Sequence, residues 1–319
     1  IPLPFSGLLD LHTASALGRI IRSRGVSLVH SHLGISTFLS LLAARFSSPP
    51  VPVVATRHFI LDRYSTIQSP FVRSVYTKIY SAMNRNLKRV IFVSDAVRQA
   101  VEGREGPLGE KGIVIPNGIF FDGFSQANSL SPEQKISLRN KLGLPPKAFL
   151  VVSLSRLAPE KGVDTLVRAA ASAAREVDAF HLVVAGEGPL RDELEKDAAQ
   201  LGIAGSVSFP GFVTDKKDLL MAADAFVLAC PAEAFGISLI EAMASGLPSI
   251  APRSGGPAEI IEDGRDGILF SPGDADELAG HIVSIARDSD TSSRLASAAV
   301  HKAQLFDQRR IIDSIQEVY

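Results

Sequence analysis

Short apolar runs of strand length alternate with stretches of helix length from one end of this chain to the other, and few folds accept such a pattern. In the first half, residues 27–31, 51–56, 90–94 and 112–116 read as strands; in the second half, 149–153, 181–185, 207–209, 225–229 and 248–251 do. Helices are expected between them, among them 162–176, where Leu166, Ala169, Ala170 and Ala173 recur at helical spacing, and 189–201. Strands reached through helices pair in parallel, because a parallel neighbour needs a crossover connection. The expected class is α/β with two Rossmann-like domains, whose ligands would sit at the carboxyl ends of the strands.

The restart of the pattern sets the domain limits. Pro116-Asn117-Gly118 is a turn signal, and the polar stretch 125–147 holds a helix start at Ser131-Pro132-Glu133. Residues 1–127 and 128–305 are therefore expected as separate domains, with 306–319 as a closing segment. A chain of 319 residues is also long for one core.

Charge divides the chain at the same place. Residues 1–124 carry 14 Lys/Arg against 7 Asp/Glu and the rest 19 against 27, so about +7 and −8 sum to the net −1. The first half is expected to face something anionic, such as phospholipid headgroups or a phosphorylated acceptor. Nucleic acid is the weaker reading, since the cations are not interleaved with aromatic residues and there is no Trp. No apolar run reaches the roughly 18–20 residues of a membrane span. The single cysteine, Cys230, ends an apolar run, so burial is favoured and a reducing, cytoplasmic setting fits. The opening Ile1-Pro2-Leu3-Pro4-Phe5 lacks the cationic cluster and apolar stretch of a secretory signal.

Several motifs carry chemistry. Glu233-Ala234-Phe235-Gly236-Ile237-Ser238-Leu239-Ile240-Glu241 sets two carboxylates with seven residues between them after a strand, with a helix expected over 237–245. A helix start there offers unpaired N–H groups to an anion, and Gly236 permits close approach of a ligand; two solvated glutamates on an amphipathic helix are the bland alternative. Arg156-Leu157-Ala158-Pro159-Glu160-Lys161-Gly162 combines a planar guanidinium with a mobile ammonium, suited to the roughly two charges of a departing diphosphate, although Glu160 and Lys161 also suit a plain helix start. Gly186-Glu187-Gly188-Pro189-Leu190 follows a strand but has Arg191 where a dinucleotide fingerprint needs its third glycine, which disfavours a nicotinamide enzyme. Gly255 and Gly256 are expected chiefly to permit close packing. Asp274-Ala275-Asp276 imitates a metal motif but follows Pro272-Gly273 and precedes a helix, so N-capping is favoured. His30, His32 and His58 end two strands of the first half, without the third ligand of a zinc site, and His30 is expected to point away from His32. The segment 71–90 carries five cations beside Phe71, Tyr76, Tyr80 and Met83: either a helix touching an anionic membrane or one covering the sheet with a solvated basic face.

Taken in order, these motifs resemble the family-4 retaining glycosyltransferases of GT-B fold (glycosyl transferases group 1), whose hallmark is Glu-x7-Glu with an internal Phe-Gly. The resemblance covers nearly the whole chain. It implies two facing Rossmann-like domains, acceptor side first and donor side second, with 306–319 a C-terminal helix crossing back. The family begins with further strands and a Gly-rich loop, so the first domain is expected to be incomplete at its N-terminus; the family's Pro-Asn-Gly-x-Asp pattern has Phe120 in place of its Asp. The implied activity is metal-independent, retaining hexosyl transfer from a nucleoside-diphosphate sugar to a glycan or lipid-linked acceptor, with no cofactor. It places the chain in the cytoplasm or at the inner face of the membrane. By resemblance, Glu233, His58, Arg156 and Lys161 serve the reaction centre, and Phe235, Gly236, Ile237, Ser238 and Leu239 line the sugar and phosphates. Glu241 would hold the ribose, while Gly186, Gly188, Phe212 and Val213 face the nucleotide. A nucleotide-sugar-binding fragment without catalysis and a GT-B epimerase are the alternatives.

Overall fold

The computed structural model describes residues 10–47, 49–60, 68–124 and 130–319. The chain divides into two compact units: one runs to Pro116 and takes in Ile311–Tyr319, the other is Asn117–Arg310. The expected 127/128 boundary falls outside the described residues. The segment from Asn117 stays with the second unit because Ile119 bridges Asp307 and Arg309 pairs with Asp122 at 2.6 Å.

In the first unit, α1 (Leu11–Ser23), α2 (Gly34–Arg45), α3 (Pro70–Asn86) and α4 (Asp95–Glu105) alternate with β1 (Val29–His32), β2 (Val53–Arg57), β3 (Arg89–Phe92) and β4 (Gly112–Val114). The strands form one parallel sheet in the order β1-β2-β3-β4. Every residue of β2 is buried, as a central strand covered on both faces requires. Val54, Ile91 and Ile115 pack with Ile311, from α13 (Gln308–Gln316). The period of two along β1 puts His30 and His32 on the same face, and their rings stack with centroids 4.6 Å apart, which corrects the expectation that His30 points away. Behind the sheet edge Arg57 is buried with Glu105 at 3.5 Å, and Asn84 bonds both.

The second unit holds α5 (Pro132–Lys141), β5 (Phe149–Leu154), α6 (Val163–Ala173), β6 (Phe180–Ala185), α7 (Arg191–Gln200), β7 (Val207–Gly211), α8 (Lys216–Ala222) and β8 (Ala225–Val227). It continues through α9 (Ile237–Ala244), β9 (Ser249–Pro252), α10 (Pro257–Ile260), β10 (Ile268–Phe270), α11 (Ala275–Arg287) and α12 (Ser289–Ala303). Its six strands are parallel in the order β10-β9-β8-β5-β6-β7. β10 was not expected: its three residues stand between the Asp263–Gly267 turn and Ser271-Pro272-Gly273, and turn signals dominate the stretch. Ala169, Ala170 and Ala173 of α6 are wholly buried, their small side chains letting the helix lie close on the core.

The strand order fixes where a ligand can enter. β5 and β8 are neighbours, yet the chain leaves β5 toward β6 on one side and β8 toward β9 on the other. The loops at their carboxyl ends diverge, and a crevice opens between them.

Candidate functional site

Two loops bound this crevice. The one after β5 carries Arg156, Glu160 and Lys161; the one after β8 carries Cys230 and Glu233 and leads into α9 with Glu241. Gly162 joins them: its backbone is left-handed (φ +65°), and a Cβ there would lie 2.4 Å from the Ala229 carbonyl oxygen, so only glycine fits. That approach brings Lys161 Nζ to 2.9 Å from Glu233 Oε2. Beside them the Cys230 thiol donates to the Glu160 carbonyl at 3.2 Å. Cys230 is buried, as expected, and burial pushes its thiol up despite nearby Lys161. Burial works against a charged Lys161, but the Glu233 carboxylate outweighs it and holds the ammonium above its ordinary value. Arg156 extends into solvent and pairs with Glu160.

The Gly186–Leu190 turn supports the Arg156 loop by backbone contact. A Cβ on Gly186 would lie 2.0 Å from the Ser155 carbonyl oxygen, and one on Gly188 would lie 2.2 Å from that of Leu157. The Leu157 N–H donates to Glu187 and the Leu190 N–H to Leu157. Arg191, which breaks the dinucleotide fingerprint, donates to the Phe209 carbonyl at 2.7 Å and so ties α7 to β7. Phe212 follows at 75% exposed with Val213 partly exposed, both just after the carboxyl end of β7.

α9 starts at Gly236, whose φ of +104° again requires glycine and which brings no side-chain cap to the helix. The first-turn N–H groups of Ile237 and Ser238 have no intrahelical partner, leaving a positive end at the crevice. The ring of Phe235 turns inward onto Phe306 and the Leu239 side chain is wholly buried; its N–H is already bonded to Gly236, so at these two positions the side chains build the core. Gly256 lies under the loop: a Cβ there would come within 2.4 Å of Phe235 Cα. The helix ends in a Schellman arrangement, Leu247 N–H to Ala242 and Gly246 N–H to Met243, at the expected Gly246.

Glu241 is 5% exposed, with Lys216 Nζ 2.5 Å from its Oε1. Burial raises the Glu241 carboxyl while Lys216 pulls it back down. The sequence did not single out Lys216: it lies 25 residues from Glu241 in a Lys-Lys pair typical of an exposed helix start, and only the fold joins them.

His58 lies in the first unit, where its Nε2 is 2.8 Å from His32 Nδ1; His30 Nδ1 meets the Tyr319 hydroxyl at 2.6 Å and its Nε2 meets Thr56 at 2.7 Å. Burial and the neighbouring rings lower His30 to about 4, burial lowers His32, and burial with His32 lowers His58, so all three favour the neutral form at neutral pH. Asp274 caps α11, accepting from Asp276 and Glu277 N–H groups, as its context suggested.

Comparison with known proteins places this geometry. Residues 134–302 match the model of the glycosyl transferases group 1, and residues 1–122 match that of glycosyltransferase family 4. The chain is 36% identical over 158 residues to the lipopolysaccharide core biosynthesis glycosyltransferase LpsE of Rhizobium meliloti, covering 50% of this chain and 45% of that protein. It is 33% identical over 238 residues to the GDP-mannose-dependent α-(1-6)-phosphatidylinositol monomannoside mannosyltransferase of Mycobacterium tuberculosis, covering 72% of this chain and 59% of that one. The chain thus spans about half the length of these curated relatives. The crystal structure of Anabaena HepE in complex with UDP and glucose superposes with a TM-score of 0.84 at 27% identity, over 99% of this chain and 83% of that one. Two parallel α/β units, a Glu-x7-Glu helix start at the switch crevice and the matched family model agree: the chain belongs to the glycosyl transferases group 1, with the architecture of the GT-B glycosyltransferases.

Proposed function

We propose that the chain transfers a glycosyl group, with retention and without a metal ion, from a nucleoside-diphosphate sugar to a glycan or lipid-linked acceptor. The observation that carries this reading is the Lys161–Glu233 pair at the β5/β8 crevice, beside the open start of α9. A diphosphate entering there exchanges carboxylates for phosphate oxygens on Arg156 and Lys161 and accepts from the N–H groups of Ile237 and Ser238. The freed Glu233 takes sugar hydroxyls, and Glu241 takes the ribose. Gly186 and Gly188 form the turn beside the nucleotide, and Phe212 and Val213 flank the base.

The anomeric carbon loses its bond to phosphate oxygen and gains one to the acceptor oxygen on the same face; the acceptor proton passes to the leaving phosphate. Negative charge gathers on the diphosphate as the bond breaks, so cations and amide dipoles fixed in advance lower the barrier. Lys161→Ala should cost about 2.7–4 kcal/mol of that stabilisation, a drop in turnover of about 10²–10³. Glu233→Gln should slow transfer while the chain still binds nucleoside diphosphate. The check is release of nucleoside diphosphate from a panel of sugar donors; turnover unchanged in both variants would remove these roles.

Membrane contact belongs to the same reading. α3 leaves Phe71 77% exposed, with Val72 and Val75 exposed beside it, on a helix that also carries Arg73, Lys78 and Arg85. Among the described residues no helix is long and apolar enough to cross a membrane. Surface attachment of this kind is electrostatic and screened by salt. Co-sedimentation with vesicles containing phosphatidylglycerol should fall as salt is raised; equal binding to neutral vesicles would contradict it.

A further inference from the structure

We propose that Lys216 is the positioning residue of the nucleoside subsite, holding Glu241 as an ionised acceptor for a ribose diol and thereby setting the preference for ribo- over 2′-deoxyribonucleoside diphosphates. This deepens the donor reading above and rests on it.

Glu241 meets two opposing demands. Glu241 stands on α9 between wholly buried Ile240 and Ala242, where an ionised carboxylate is costly unless paired. A ribose offers two adjacent hydroxyls, each of which needs an acceptor to donate to. A protonated carboxyl would spend one oxygen as a donor and serve the diol poorly. Lys216 resolves the conflict, with its ammonium 2.5 Å from Oε1. Lysine holds Oε1, while Glu241 Oε2 has no hydrogen bond to any described residue and keeps its lone pairs to offer. Among the described residues Lys216 on α8 is the one charged group that bears on this carboxylate.

The lysine is itself held. Asp215 caps α8 by accepting the N–H groups of Lys217 and Asp218, which fixes the helix start. Lys216 Nζ also lies 5.9 Å from the centre of the Phe124 ring, within cation–π range. Lys217 turns to the same ring at 5.5 Å and, among the described residues, bonds no carboxylate. Two adjacent lysines therefore separate into one that serves Glu241 and one that does not, which supplies an internal control.

Losing Lys216 leaves burial unopposed, so the carboxyl moves further up and takes a proton as pH falls. The test uses the whole chain. Calorimetry first ranks UDP, GDP and ADP with the wild type; the tightest is then compared with its 2′-deoxy analogue for Lys216→Met, Lys216→Gln, Lys216→Arg and Lys217→Met. Both neutral Lys216 variants should lose about tenfold in affinity for the ribonucleotide at the acid end of the pH range in which the chain stays folded, the scale of one hydrogen bond to a charged group, and recover toward wild type as pH is raised. Their discrimination against the 2′-deoxy analogue should shrink, Lys216→Arg should restore both behaviours, and Lys217→Met should match wild type. Wild-type affinity in Lys216→Met, or a loss equal for both nucleotides at every pH, overturns this role while leaving the donor reading standing. Failure of the wild type to bind any of the three overturns both.

Discussion

At the scale of single residues, ion pairs balance the charges of the crevice. Lys161 rests on Glu233, Arg156 on Glu160 and Lys216 on Glu241, so each cation that the donor reading assigns to phosphate or ribose has a carboxylate neighbour. The histidines of the first unit are the opposite case, three imidazoles within reach of one another and held toward the neutral form by burial. His30 titrates near 4 in the folded chain against 6.5 as a free side chain. The unfolded state therefore binds more protons between these values, so the stability His30 contributes is present above pH 6.5 and is lost as pH falls toward 4. His30→Asn should flatten the decline of Tm over that window, as scanning calorimetry would record. A decline of the same slope in the variant would place the acid sensitivity elsewhere.

At the scale of elements, glycines decide how closely the loops can meet. Gly188 is conformationally ordinary, and its constraint is contact: any Cβ meets the Leu157 carbonyl, a backbone atom that cannot swing aside. Gly236 has the converse constraint, ordinary space around a missing Cβ but a backbone at φ +104°. Gly188→Ala should therefore move the Arg156 loop and cost about 1–3 kcal/mol by overpacking. Gly236→Ala should cost about 1–2 kcal/mol of left-handed strain while disturbing the α9 start. Urea unfolding measures both, and donor affinity should fall in each; a Gly188→Ala chain with unchanged stability would mean that the turn is not seated on Leu157.

For the whole molecule, most of the architecture was legible because parallel strands buried on both faces leave long apolar runs. All nine expected strands are present within two or three residues of their expected limits, while β10 is hidden between two runs of turn residues. The helix start at Gly236 and the Schellman end at Gly246 were legible for the same reason that they form: glycine takes left-handed backbone angles without the steric cost of a Cβ. Side-chain partnership across the fold was not legible. Nothing in the spacing of Lys216 and Glu241, or of His30 and Tyr319, announces contact, since the sheet order and not the sequence separation brings them together. Strand parity could have placed His30 beside His32, because residues two apart share a face.

The central claim is that the β5/β8 crevice of the second unit receives the diphosphate of a nucleotide sugar. The most direct measurement is a crystal structure of the chain soaked with the nucleoside diphosphate that raises its Tm most. Phosphate density against Arg156, Lys161 and the N–H groups of Ile237 and Ser238, with ribose on Glu241, is the predicted result; a nucleotide bound away from this crevice would contradict the account.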